Sequence, residues 1–214
     1  MEYKHKPQMD VMHPVGPQKQ EYVFEPETLY EAVKKGLGLP VQDMIETVHQ
    51  ELLRLYPGHV AKGRRWIFNV AGGVMGQLTV LHGSPKEYLL FFGSPIGSEG
   101  HSGRYKADIW DFCIAGEFWL YVEGQLDRTV VKAGDVVHLG EGLAKGFKMP
   151  DHGTPCYMLE YGRGNIPSVL PFGILNDAIS STHDWPAVKN QLFDYAKIAV
   201  KEVMMGEMKN MMLP

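Results

Sequence analysis

Cysteine is nearly absent. Only Cys113 and Cys156 occur in 214 residues, and each sits inside an apolar run. Two reduced core thiols are therefore expected, and a disulfide framework is not. No run of 18 apolar residues exists to span a bilayer, and no charged-then-apolar leader is visible. The expected location is cytoplasmic or peripheral on a membrane face. Long blocks of Lys and Arg are also missing, and the formal net charge is −4. That leaves no electrostatic case for nucleic acid. Nine histidines are present, but none forms a close His-x-His or His-x-x-x-His pair. The glycine-rich run GSEGHSGRYKAD lacks the Gly-Lys-Ser/Thr ending of a phosphate loop. It reads as a tight connection, with His101 and Arg104 fastening the scaffold or a subunit contact. The run NVAGGVMG has no dinucleotide-binding context, and no serine stands in a nucleophile elbow.

What remains is globular in balance, with 44% hydrophobic and 21% charged residues. One domain with helical appendages is expected. Residues 1–20 lack apolar periodicity and predict a flexible tail. Residues 21–64 predict two helices, Glu25–Lys35 and Val41–Tyr56, the second with apolar residues at helical spacing. From 65 to 166 the pattern changes to short segments rich in Val, Ile, Leu and aromatics, separated by Gly or Pro. That spacing predicts a sandwich or barrel. After Pro167 two helices return. The first is Pro171–Ser180. The second follows Asp184 as N-cap and carries a stripe of Val188, Leu192, Tyr195 or Ala196, Ala199, Val203 and Met204. Phe193, Ile198 and Met205 broaden that stripe. It suits packing on the barrel, lying on a membrane or lidding an apolar pocket.

The most informative strand is Pro155–Tyr161. Alternation puts Cys156, Met158 and Glu160 on one face and Tyr157, Leu159 and Tyr161 on the other. A carboxylate amid such neighbours either pairs with a cation, Arg163 being the nearest, or keeps a proton. Spacing also resembles the cupins, a class of small barrels. Glu117 precedes Gly124 by the expected interval, and Gly134 and Gly142 fit the second signature. The positions of metal-binding histidines hold Asp111, Cys113 and Lys145 instead, so no metal or other cofactor is expected. His138 reads as a satisfied core or rim residue. The same comparison points Asp111 into the barrel. Two acids in one dry space do not both ionise cheaply, so Glu160 and Asp111 are expected to share a proton.

The stretches NVAGGVMGQLTVLHGSPKEYLLFFGSPIGSEGHSGRY and YMLEYGRGNIPSVLPFG resemble the C-8 sterol isomerase and sigma-1 receptor family. The resemblance runs from about Tyr22 to about Glu202. It implies a mainly β fold with flanking α, a cupin-like β-barrel (jelly roll) with N-terminal helices and two C-terminal amphipathic helices against a membrane. A homotrimer is implied, as is a cavity for sterols or cationic amphiphiles. By motif, Glu160 matches the family's essential carboxylate, Asp111 the acid beside it, and Tyr88 a pocket aromatic. Trp119 and Phe147 are further candidate walls of a dry aromatic cage. The family's membrane helix has no counterpart in the polar N-terminal stretch, and Val74 replaces a receptor tryptophan. The leading expectation is an isomerase that moves a ring double bond from C-8 to C-7 by carboxyl protonation and deprotonation. A receptor-type binder without chemistry, or an inert scaffold, are the alternatives.

Overall fold

The structure is a computed structural model that describes residues 22–211, with side chains through 205. The expected tail falls outside the described residues. Two helices come first. α1 (Pro26–Lys34) starts on a proline, has Glu27 in its first turn and Lys34 in its last, each suited to its end of the helix dipole. α2 (Val41–Leu55) buries Met44, Ile45, Val48 and Leu52 along one side.

The strands follow: β1 (Ile67–Ala71), β2 (Val74–Gly83), β3 (Glu87–Ser94), β4 (Ser98–His101), β5 (Ala107–Ala115), β6 (Glu117–Val122), β7 (Thr129–Lys132), β8 (Val136–Leu139), β9 (Lys145–Met149) and β10 (Cys156–Gly164). All pair antiparallel in two sheets, β1-β2-β3-β10-β5-β8 and β4-β9-β6-β7. Between β3 and β10 the chain changes sheet at every step except β6 to β7. Two facing four-stranded layers, β3-β10-β5-β8 and β4-β9-β6-β7, result. This is the strand order of a jelly roll, and β1 and β2 extend its first layer. Among the described residues no pairing joins the two sheets, so the expected barrel is an open sandwich. β4 escapes the sequence pattern because Ser-Glu-Gly-His carries no apolar alternation.

β10 lies at the centre of the larger sheet, hydrogen-bonded to β3 and β5. Its two faces meet different cores. Leu159 and Tyr161 join Trp110, Phe112 and the buried side of α1 and α2 on the outside. Cys156 and Met158 join Cys113, Phe118, Leu120 and Phe147 between the sheets. Burial on both faces explains why β5 and β10 read as near-continuous apolar runs. Both cysteines are free and buried in this inter-sheet core. A third acid, Glu87, is also buried. It accepts hydrogen bonds from Val23 N (2.7 Å) and the Tyr161 hydroxyl (3.0 Å) and so pins the entering chain to β3.

The first C-terminal helix departs from expectation. Pro171–Asn176 and Ala178–Thr182 wind with wide, π-type turns. Ser180, Ser181 and Thr182 hydroxyls donate to the carbonyls of Asn176 and Asp177, competing with the backbone for them. His183 then adopts the left-handed conformation, φ 55°, and breaks the run. α3 (Trp185–Met211) follows, and Asp184 caps it as expected, accepting from Ala187 N at 3.0 Å. Only part of the expected stripe packs, Val188 and Tyr195 among it. Val188, Gln191 and Glu202 face the sheet, while Leu192, Phe193, Val203 and Met204 are exposed. The cause is polar. Gln191 donates to Phe68 O, the Tyr195 hydroxyl to Ser84 O, and Arg65 pairs with Asp194. These bonds fix which side of α3 meets the sandwich.

Candidate active site

The inter-sheet space is filled at one end and hollow at the other. The hollow end is a partly enclosed cavity of about 170 Å³. Its walls are mainly apolar side chains from β2, β3, β5 and β9, and the segment Ile166–Tyr195 covers it. The polar groups that reach in are few, which is the usual layout of a small-molecule site.

Two of them are the acids expected from sequence. Glu160 on β10 stands directly opposite Asp111 on β5 in the strand register, and alternation turns both inward. Glu160 is half-buried, Asp111 1% exposed. Glu160 takes no salt bridge from Arg163, which lies on the strand's other face over the Trp110 ring at 4.6 Å. Its partner is Tyr88 on β3, whose hydroxyl donates to Oε1 at 2.7 Å. Burial raises the Glu160 carboxyl first, and the Asp111 charge adds to it, while Lys145 and Tyr88 pull it down. The balance is about 7. Burial and the Glu160 charge push the Tyr88 phenol far upward, so it stays a donor.

Phe147 also lines the cavity. Trp119 does not. It sits on the outer side of β6, under Arg128 at 3.7 Å, with its indole N–H donating to Glu117. Inward alternation of Phe118, Leu120 and Val122 on β6 excludes it from the interior. His138 is satisfied as expected, bonded to Asp108 Oδ1 at 2.9 Å and stacked on Trp110. Arg104 ties its loop to Glu123 and to Gly142 O. Among the described residues no cluster of three or more metal-ligating side chains occurs.

Sequence reading missed two groups. Tyr105 enters the cavity from the connection before β5. Lys145 on β9 crosses from the smaller sheet to bond Asp111 Oδ2. In the sequence Lys145 stands only where a metal ligand would, and its approach to Asp111 comes from the packing of the two sheets.

Known proteins match this chain along most of its length. The profile of the family described as "ERG2 and Sigma1 receptor like protein" matches residues 8–207. A "C-8 sterol isomerase ERG2" of Gibberella zeae is 38% identical over 86% of this chain and 77% of its own. A "C-8 sterol isomerase" of Pyricularia oryzae is 39% identical over 78% and 76%. A "Protein erg2 homolog" of Dictyostelium discoideum is 41% identical over 70% of this chain, which spans 63% of that relative's length. Among solved structures, an RmlC-like cupin from Shewanella frigidimarina covers 50% of this chain and 90% of its own, at 18% identity and a TM-score of 0.41.

Proposed function

This chain belongs to the ERG2 and sigma-1 receptor-like family, and from that premise we propose that it moves a ring double bond of a sterol from C-8 to C-7. The observation that carries the reading is the facing pair Glu160 and Asp111 in an apolar cavity. One carboxyl O–H adds its proton to an alkene carbon, and the π electrons form the new C–H bond. The other alkene carbon becomes a tertiary cation, held by the carboxylate charge. A neighbouring C–H then breaks, its electron pair forms the shifted double bond, and its proton returns to the acid pair. Atoms and charge balance without a cofactor. Apolar walls keep water from trapping the cation. Phe147 and Tyr88 are among the aromatic walls of the cavity.

The enclosed space is smaller than the roughly 300–1,000 Å³ of most drug-sized ligand sites. The cover Ile166–Tyr195 therefore shifts to admit a polycyclic ligand. The outward apolar side of α3, with Lys189, Lys197 and Lys201 beside it, suits a membrane face that supplies such a ligand. No described helix is long and apolar enough to cross a membrane. Homotrimer assembly is part of the same proposal. Exposed Phe68 and Ile96 are apolar surface it would cover, and light scattering tests it.

The test of the chemistry is incubation with a sterol bearing the C-8 double bond, followed by NMR of the product. Wild-type protein should move the bond and Glu160→Gln should not. Turnover retained by the variant would remove Glu160 from the mechanism. A carboxylate that steadies a carbocation also receives an ammonium group. A receptor-type binder of cationic amphiphiles is the reading that survives if wild-type protein binds but never isomerises.

A further inference from the structure

We propose that Lys145 assigns the roles of the two acids: it holds Asp111 as the carboxylate, leaves Glu160 to carry the proton, and sets the cavity for a neutral alkene over an amine. This rests on the isomerase reading and adds a residue to it.

The two acids have unequal partners. Asp111 Oδ2 receives the Lys145 ammonium, whereas among the described residues Glu160 receives only the Tyr88 hydroxyl. A buried carboxylate with a cation keeps its charge, and one facing only a phenol and a second carboxylate is the one to take a proton. Lys145 is well placed for this duty. It is 7% exposed, and its backbone is held on both sides by Ser102, whose Oγ accepts from Lys145 N at 3.0 Å while Ser102 N donates to Lys145 O at 3.0 Å. Its ammonium lies 5.3 Å from the Phe147 ring centre. It is thus anchored in β9 and reaches across to the opposite sheet.

Charge counting completes the case. With Lys145 positive, Asp111 negative and Glu160 neutral, the resting cavity is neutral and suits an uncharged ring system. After Glu160 gives its proton, one carbocation faces one new carboxylate, and the total is unchanged. Asp111 Oδ1 is buried without a hydrogen-bond partner among the described residues. That makes it an open acceptor beside the reacting carbons and the base for the return proton. Without Lys145 the pair sharing one proton carries a net negative charge, which favours an ammonium ligand.

The groups facing Glu160 are Tyr88 from β3, Tyr105 before β5, Asp111 from β5 and Lys145 from β9. Lys145 is a positioning residue, and its loss should be read in three ways. Lys145→Met should lower kcat about 100-fold with KM little changed, a size typical of lost electrostatic preorganisation. The alkaline limit of its pH–rate profile should move up, because the cation that favoured ionisation is gone. A tertiary-amine amphiphile should bind about tenfold more tightly. Lys145→Arg should keep the wild-type pH limit. Should K145M fold poorly, the paired variant K145M/D111N removes both charges, and its amine affinity should return to the wild-type level. Unchanged kcat and pH profile in K145M, with wild type active, would overturn the proposal. If wild type proves inactive on the sterol, the parent reading fails. Amine affinity indifferent to K145M then overturns this proposal as well, and tightened affinity keeps its charge assignment.

Discussion

Glu160 is kept near neutrality by its surroundings, and that has a cost in stability. Its carboxyl titrates at about 7, raised by burial and by Asp111. Across the interval from the ordinary carboxyl value up to about 7, the folded protein binds a proton that the unfolded chain has released. Stability therefore falls as pH rises through this window and stays lowered above it. Glu160→Gln, isosteric and uncharged, should raise stability by about 2 kcal/mol at about pH 8 and change it little at about pH 4. Calorimetric melts at both values check it, and an equal gain at both would mean that packing is the cause. On the proposed mechanism the same residue governs rate. The proton donor is lost as pH passes about 7, so turnover should decline on that side. Tyr88 donates to this carboxyl from β3, and Gly162 on β10 makes room for it. A methyl group at Gly162 would meet the Tyr88 ring at 2.2 Å. Gly162→Ala must push the ring aside and should weaken its bond to Glu160. Both Gly162→Ala and Tyr88→Phe should move the alkaline limit upward, since each weakens or removes a donor to the carboxylate. A downward shift in either would contradict the hydrogen-bond direction assigned to Tyr88.

Elements that carry a strict period were legible in the sequence, and contacts that arise between elements were not. The two-residue period of β10 put Glu160 and Met158 on the inner face, and its apolar flanks reported burial on both sides. The parity of β6 was equally readable, and Phe118, Leu120 and Val122 should have turned Trp119 outward. Lys145 is a different case. It meets Asp111 only because β9 and β5 belong to opposite sheets that close on each other. No local pattern encodes that approach. α3 is legible as a helix, but which side of it packs is decided by contacts between elements. Its apolar stripe is real, but hydrogen bonds from Gln191 and Tyr195, with the Arg65–Asp194 pair, turn a more polar side to the sheet. Much of the stripe is then left exposed, and on the proposed reading it meets a membrane face. Replacing Phe193 and Val203 with Glu should leave the melting temperature within a few degrees, as exposed sites do. The same change should abolish sedimentation with anionic vesicles. Vesicle binding that survives both charges would assign the membrane contact elsewhere.

At the scale of the whole molecule, the sandwich brings two acids, one lysine and the phenols of Tyr88 and Tyr105 into a single apolar chamber, and on the proposed reading ligand binding there is linked to protonation. A cationic amphiphile needs a carboxylate partner beyond the one already taken by Lys145. Glu160 supplies it only after losing its proton. Binding of a permanently charged quaternary amphiphile should therefore release one proton below about pH 7. Its affinity should rise about tenfold per pH unit up to that point and then level off. A quaternary probe removes the ligand's own titration from the measurement. Calorimetry in two buffers of different ionisation heat counts the released proton directly. In Glu160→Gln the pH dependence should vanish and the remaining affinity should be weak at every pH. In wild type, a pH-independent affinity would mean that the amphiphile sits away from Glu160, on the apolar side of α3 or elsewhere, and the chamber would lose its claim to be the ligand site.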